Sequence, residues 1–187
     1  NLIEIDNINS PGDFIRLRAE TDSSALKKRF SDDAIYRKNL PANNSSRSLY
    51  NIAEKIRYEA LGGQMLKGIE KNFHENYSQI INKKGRDQLK TKEDVSVTEA
   101  FELYMLKNFH KVELNLLSSK MLNFWEKDFE KSIEKHKEFL LDNLEDQNIY
   151  ASRFSQIFEE MDIFQSEEDQ SNEENQDQGQ DNPSNDD

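Results

Sequence analysis

The side chains able to do chemistry are few and scattered. Histidine occurs at positions 74, 110 and 136. None falls in an H-x-x-x-H or H-E-x-x-H spacing, which would set two imidazoles on one helical face as metal ligands. A site gathered from all three needs a tertiary fold to assemble it, and each histidine, lying near aromatic residues, is explained singly as a partly buried or surface side chain. The chain has 37 Asp and Glu residues but no catalytic spacing among them. It has no G-x-x-x-x-G-K-[ST] loop to cradle a phosphate, no G-x-G-x-x-G, no G-x-S-x-G and nothing resembling a Ser/His/Asp triad. Cysteine is absent, which excludes disulfides, thiolate zinc sites, iron–sulfur clusters and a cysteine nucleophile. Asp22-Ser23-Ser24-Ala25-Leu26 partly matches a D-x-S-x-S metal-ion adhesion loop, but Leu26 stands where the second hydroxyl is needed. Asp22 or Ser23 reads better as a helix N-cap. The expectation is a segment with no catalytic, cofactor-binding or metal-ligating residue.

The formal net charge is −12, from 25 basic and 37 acidic residues. Nine of the acids lie in 165–187 (Glu167, Glu168, Asp169, Glu173, Glu174, Asp177, Asp181, Asp186 and Asp187), where there is no basic residue. Residues 1–164 are left with 28 acidic against 25 basic, a net charge of −3. The C-terminal stretch has no apolar residue to bury against the roughly 1–2 kcal/mol per residue that backbone ordering costs. It reads as a disordered acidic linker, with a specific acidic recognition arm as the sharper alternative. The acidity argues against nonspecific nucleic-acid binding. No apolar stretch approaches the roughly 20 residues of a membrane span, and the N-terminus lacks a signal-peptide pattern, so a cytoplasmic location is expected. The chain starts at Asn1 rather than Met, which suggests a fragment or a processed chain.

The elements that must position any site are helices. Residues 1–15 read as an extended arm or a truncated upstream region, with a turn signal at Ser10-Pro11-Gly12-Asp13. Residues 16–30 read as a helix, Ser31-Asp32-Asp33 as an N-cap for a short turn, and Asn43-Asn44-Ser45-Ser46 as loop. From Ser48 to Asn82 apolar residues recur at three- and four-residue spacing, so one long helix is expected. Gly62, Gly63 and Gly68 inside it each cost about 0.8–1 kcal/mol relative to alanine. They imply a kink, or a face where another backbone comes close. Thr98 reads as the N-cap of an apolar helix interrupted at Ser118-Ser119, and stripes from Phe129 and from Ile149 follow. With no convincing hairpin turn, residues 16–164 are expected to be all-α, an irregular helical bundle followed by the disordered acidic tail.

One stretch carries more than periodicity. In Tyr50–Phe73, Arg57 and Glu59 lie on opposite sides of a helix, whereas Arg57 follows Glu54 by three residues. Flanked by Ala53 and Leu61, Arg57 reads either as part of a half-buried cross-helix ion pair or as a solvated surface pair worth under about 1 kcal/mol. Glu54, Arg57, Glu59, Ala60, Gly62, Gly68 and Asn72 resemble the E-x-x-R-x-E-A-x-G-x-x-x-M-x-G-x-x-x-N-L segment of the cobaltochelatase CobT subunit, N-terminal to its von Willebrand factor A-type domain, with Phe73 in place of Leu. Arg18–Leu26 is similar to the family's R-G-x-A-D-x-x-A-L, and Leu40-Pro41 matches a loop proline before the motif helix. Leu122–Trp125 resembles the D-L-W region, Glu145–Phe154 resembles D-Q-x-x-F, and the acidic tail matches the family's linker. Lys107–Lys111 and Ser31–Asp33 depart from the family pattern.

The resemblance implies a part in ATP-dependent cobalt insertion into hydrogenobyrinic acid a,c-diamide during aerobic cobalamin (vitamin B12) biosynthesis. The enzyme class so implied is a ligase forming a nitrogen–metal bond. It implies a CobS-type AAA+ ATPase and a CobN-type large subunit as partners in a hetero-oligomeric ring. ATP, Mg and cobalt belong to the whole complex, and this segment is expected to bind none of them and to be non-catalytic. Its expected partner surface is Glu54, Arg57, Glu59, Gly62, Met65, Gly68 and Asn72, with intradomain packing as the alternative role of the same residues. Two other readings stand beside it: an AAA+ adaptor without a chelatase role, and a free-standing metalloenzyme using the histidines.

Overall fold

A computed structural model of the chain describes residues 10–83 and 89–161. Residues 1–9 of the arm expected over 1–15, and the acidic tail, lie outside the described residues; residues 11–15 of that expected arm are helical instead. Among the described residues nine α-helices follow one another: α1 Pro11–Phe30, α2 Asp33–Lys38, α3 Asn44–Met65, α4 Lys67–Lys83, α5 Val97–Phe109, α6 Leu116–Asn123, α7 Glu126–Ile133, α8 Lys137–Asp142 and α9 Gln147–Glu160. Short 3₁₀ turns occupy Lys92–Asp94 and Glu134–His136. There is no strand among the described residues, so the all-α expectation holds.

Local chemistry sets most of the helix starts. Ser10 accepts from the Asp13 amide and Pro11 opens α1, five residues before the expected start of the helical body. Asp32 caps α2 through the amides of Ala34 and Ile35. The Asn43–Ser46 cluster, expected as loop, is instead the cap and first turn of α3, because the Asn43 side chain satisfies the amides of Ser45 and Ser46. Ser96 rather than Thr98 caps α5, accepting from the Glu99 amide. Ser118 and Ser119 do not interrupt a helix. Ser118 donates its amide to Asn115, the cap of α6. The break falls earlier, at Lys111, whose φ of 57° is left-handed. There His110 and Val112 both return their amides to the Leu106 carbonyl and close the end of α5.

The long helix expected over 48–82 is two helices. Leu66 leaves the helical region (φ −138°, ψ 107°) and α4 turns back. Gly63 lies at this corner, where an added Cβ would come within 3.3 Å of the Glu70 Cβ. Gly62 faces α1, and a Cβ there would meet the Leu26 side chain at 2.4 Å. The two glycines thus let α1 and α4 close on α3.

α3 is the central element, packed against α1, α4, α5 and α9. On the side of α5 and α9 the core is aromatic: Phe101 meets Phe129, Phe154 and Phe158 edge-on at centroid distances of 5.5–6.4 Å. On the side of α1 and α4 buried polar side chains join the core, with Glu59 meeting Ser23 and Tyr77, while Glu54 and Arg57 reach from α3 to the end of α1 and the start of α9.

Candidate functional site

Arg57 is 0% exposed, at the middle of α3. Its Nε donates to Glu54 Oε1 at 3.2 Å and its Nη2 donates to Glu54 Oε2 at 3.4 Å. Nη2 also donates to the Phe30 carbonyl at 2.6 Å, and Nη1 donates to the Leu144 carbonyl at 3.0 Å. Phe30 is the last residue of α1, so the guanidinium meets the negative end of that helix. Gln147 Nε2 donates to the second oxygen of Glu54 at 3.0 Å, while Gln147 Oε1 accepts from the Asp32 amide at 2.6 Å. One buried ion pair thereby ties α3 to the end of α1, the start of α2 and the α8–α9 junction. Burial pushes the Glu54 carboxyl up, against the opposing pull of Arg57 and Gln147.

Glu59 forms a second buried cluster without a cation bonded to it. Its Oε1 accepts from Ser23 of α1 at 2.6 Å and its Oε2 accepts from Tyr77 of α4 at 2.5 Å. Desolvation raises the Glu59 carboxyl above its ordinary range, opposed by Lys55 and the two hydroxyl donors. The same burial, with Glu59 beside it, raises the Tyr77 phenol well above its ordinary value. His110 Nε2 lies 3.8 Å from Glu59 Oε2, is buried, and has no hydrogen-bond partner. Burial, with His74 and Lys55 nearby, pushes the His110 imidazole down to about 4, so it is neutral at pH 7. His74 Nε2 meets the His110 carbonyl at 2.6 Å. Lys55 Nζ sits over the Tyr77 ring, 5.5 Å from its centroid. A small cleft of about 220 Å³ opens beside this cluster, with Glu20, Ser24 and Asn76 at its walls.

The residues picked out by sequence therefore separate. Glu54 and Arg57 pair with each other inside the bundle, Glu59 joins a different cluster, and Gly62 packs on Leu26. Asn72 bonds Asp22 across α4 and α1 at 2.7 Å. Asp22 and Ser23 are not N-caps but interior residues of α1 whose side chains reach α4 and α3. Met65 and Gly68 are solvent-facing, Met65 at 53% exposure. The histidines do not converge: His136 contacts Arg153 on α9, while His74, midway along α4, meets only the backbone carbonyl of His110, the C-cap of α5. No group of three His, Asp or Glu residues able to hold a metal occurs among the described residues. No helix among them is long and apolar enough to cross a membrane.

Sequence reasoning passed over Ser23, Tyr77 and His110 as partners of Glu59, and Gln147 as a partner of Glu54. The signal for Gln147 was its place one residue after a capping Asp146 at the start of an apolar helix. A family model described as "Cobalamin biosynthesis protein CobT" matches residues 1–187, the whole chain. No curated protein and no solved structure matched it.

Proposed function

From the premise that this chain belongs to the CobT family of cobalamin biosynthesis proteins, we propose that it is a non-catalytic helical docking segment of an ATP-dependent cobaltochelatase. In this reading the complex inserts cobalt into hydrogenobyrinic acid a,c-diamide. A CobS-type AAA+ ATPase supplies the work and a CobN-type subunit holds the ring. The segment acts by presenting a rigid surface. The observation that carries the reading is the family match along all 187 residues.

The geometry supports a scaffolding role for the motif. Its charged side chains are spent inside the bundle: Glu54 and Arg57 hold α1, α2 and α9 on α3, and Glu59 holds α1 and α4 on α3. None of the three is left facing solvent to act on a substrate. Cobalt and the corrin are substrates of the complex, and their handling falls to the other subunits.

The test is reconstitution. The chain is mixed with the cognate AAA+ subunit with and without ATP, and complex formation is followed by sedimentation. Cobalt insertion by the complete complex is then compared with and without the chain. A stable complex, and insertion that depends on the chain, are expected. A complex whose insertion is indifferent to the chain would favour an adaptor serving some other substrate. No complex at all would overturn the docking role.

A further inference from the structure

A shallow apolar groove of about 190 Å³ lies where α1 crosses the α3–α4 corner. Ala25 and Leu26 of α1 face Met65, Leu66 and Ile69 across it, over the floor at Gly62. The volume is below the roughly 300 Å³ at which pockets for drug-sized ligands begin, so it suits one bulky side chain. Met65 and Leu66 are adjacent in sequence and 53% and 58% exposed. This exposed apolar pair sits at the one-residue break between two helices, where α3 ends and α4 begins.

The charges at the two ends of the groove differ in availability. Asp22 at one end is engaged by the Asn72 amide. Arg29 at the other end stacks its guanidinium over the Phe30 ring, 5.3 Å from the centroid. No carboxylate among the described residues pairs with it. Gly68, in the first turn of α4 beside the exposed pair, has no positive φ and nothing within 4 Å of where a Cβ would stand. Neither its backbone nor its neighbours in this fold require glycine, but a second chain lying close over the corner would.

We propose that this corner is the docking point for a partner segment that presents a bulky apolar side chain with a carboxylate within one helical turn of it. The apolar side chain enters between Ala25 and Leu66, the carboxylate meets Arg29, and the partner backbone passes over Gly68. The inference rests on the docking role proposed above and names the surface and the chemistry of what it takes.

The chain has no cysteine, so Met65→Cys gives a uniquely placed label. Leu116→Cys, at a position 92% exposed on α6, gives a control. Each variant of the full chain carries an environment-sensitive fluorophore and is titrated with the cognate AAA+ subunit, while sedimentation reports the complex independently. A blue shift at position 65 and none at 116 is expected. Arg29→Gln and Gly68→Ala are each expected to weaken the complex about tenfold, with the chain still melting in one cooperative transition within a few degrees of wild type. A complex that forms while the label at 65 stays in water overturns this inference and leaves the docking role standing. So does unchanged affinity in both variants. A label at 65 already shielded in the chain alone would place a second copy or the chain's own terminus on the corner, and also overturns it. Absence of any complex removes the docking role and this inference together.

Discussion

Arg57 gives the sharpest test of what the motif does. Its guanidinium is fully buried, so its interactions are not discounted for solvent screening. Arg57→Met removes one member of a buried pair and leaves Glu54 charged in the interior, which costs about 3–5 kcal/mol. The Phe30 and Leu144 carbonyls lose their donor at the same time. A chain of this size is stabilised by about 5–15 kcal/mol in total, and each kcal/mol moves its melting temperature by about 2–4 °C. The expected loss is therefore roughly 6–20 °C. Glu54→Gln/Arg57→Met should recover part of it, because no uncompensated charge remains and a neutral side chain still meets Gln147. Urea unfolding of the wild type, the two single variants and the double variant closes a cycle whose coupling is expected at about 0.5–3 kcal/mol. The folded double variant should still bind the AAA+ subunit. An Arg57→Met chain within about 1 kcal/mol of wild type would refute the scaffold role of the pair, as would a double variant no more stable than Arg57→Met. Loss of binding by a well-folded double variant would move Arg57 back to the partner surface.

Two further outcomes follow from the second cluster and from the glycines. The Glu59 carboxyl is raised in the folded state, so its contribution to stability is full below its unfolded value near 4.5 and is lost as pH rises through the folded value. Glu59→Gln should therefore flatten the decline of the urea midpoint as pH rises above about 4.5, and a difference curve against pH that stays level would refute this. His110 has the opposite sign. It is held near 4 in the fold, so it contributes stability above its unfolded value near 6.5 that is lost as pH falls toward 4, and the same pH series on a His110→Gln chain should lose that acid limb. Gly62→Ala should cost about 1–3 kcal/mol through overpacking against Leu26, of which the better helix propensity of alanine returns about 0.8–1 kcal/mol. Adding Leu26→Ala should recover some of that loss in a thermal melt, and a Gly62→Ala chain as stable as wild type would show that α1 does not need the close approach.

The fold class was legible because it depends on local rules. Apolar residues three and four apart, side chains able to cap orphan amides and the near absence of Pro and Gly all act within one or two helical turns. The Glu54–Arg57 pair was legible for the same reason, being three residues apart on one helix. The break at Leu66 was legible only as a kink implied by Gly62, Gly63 and Gly68, because the apolar period runs on unchanged through Leu66, Ile69 and Phe73, and packing on α1 and α3 decides that the chain turns there into a second helix. Asn43–Ser46 could serve as loop or as cap, and the tertiary path of the chain selected the cap.

Burial was the larger unknown. By itself the sequence determined a set of amphipathic helices, a near-neutral body with an acidic end, and one short-range ion pair. Only the tertiary structure decided that this pair has 0% and 5% side-chain exposure for Arg57 and Glu54, and that Glu59 meets a hydroxyl 36 residues earlier and another 18 residues later. It also decided that Met65 and Leu66 are left outside. Helical periodicity fixes which residues share a face, but which face is covered depends on contacts between segments far apart in the chain, and those carry no local signature.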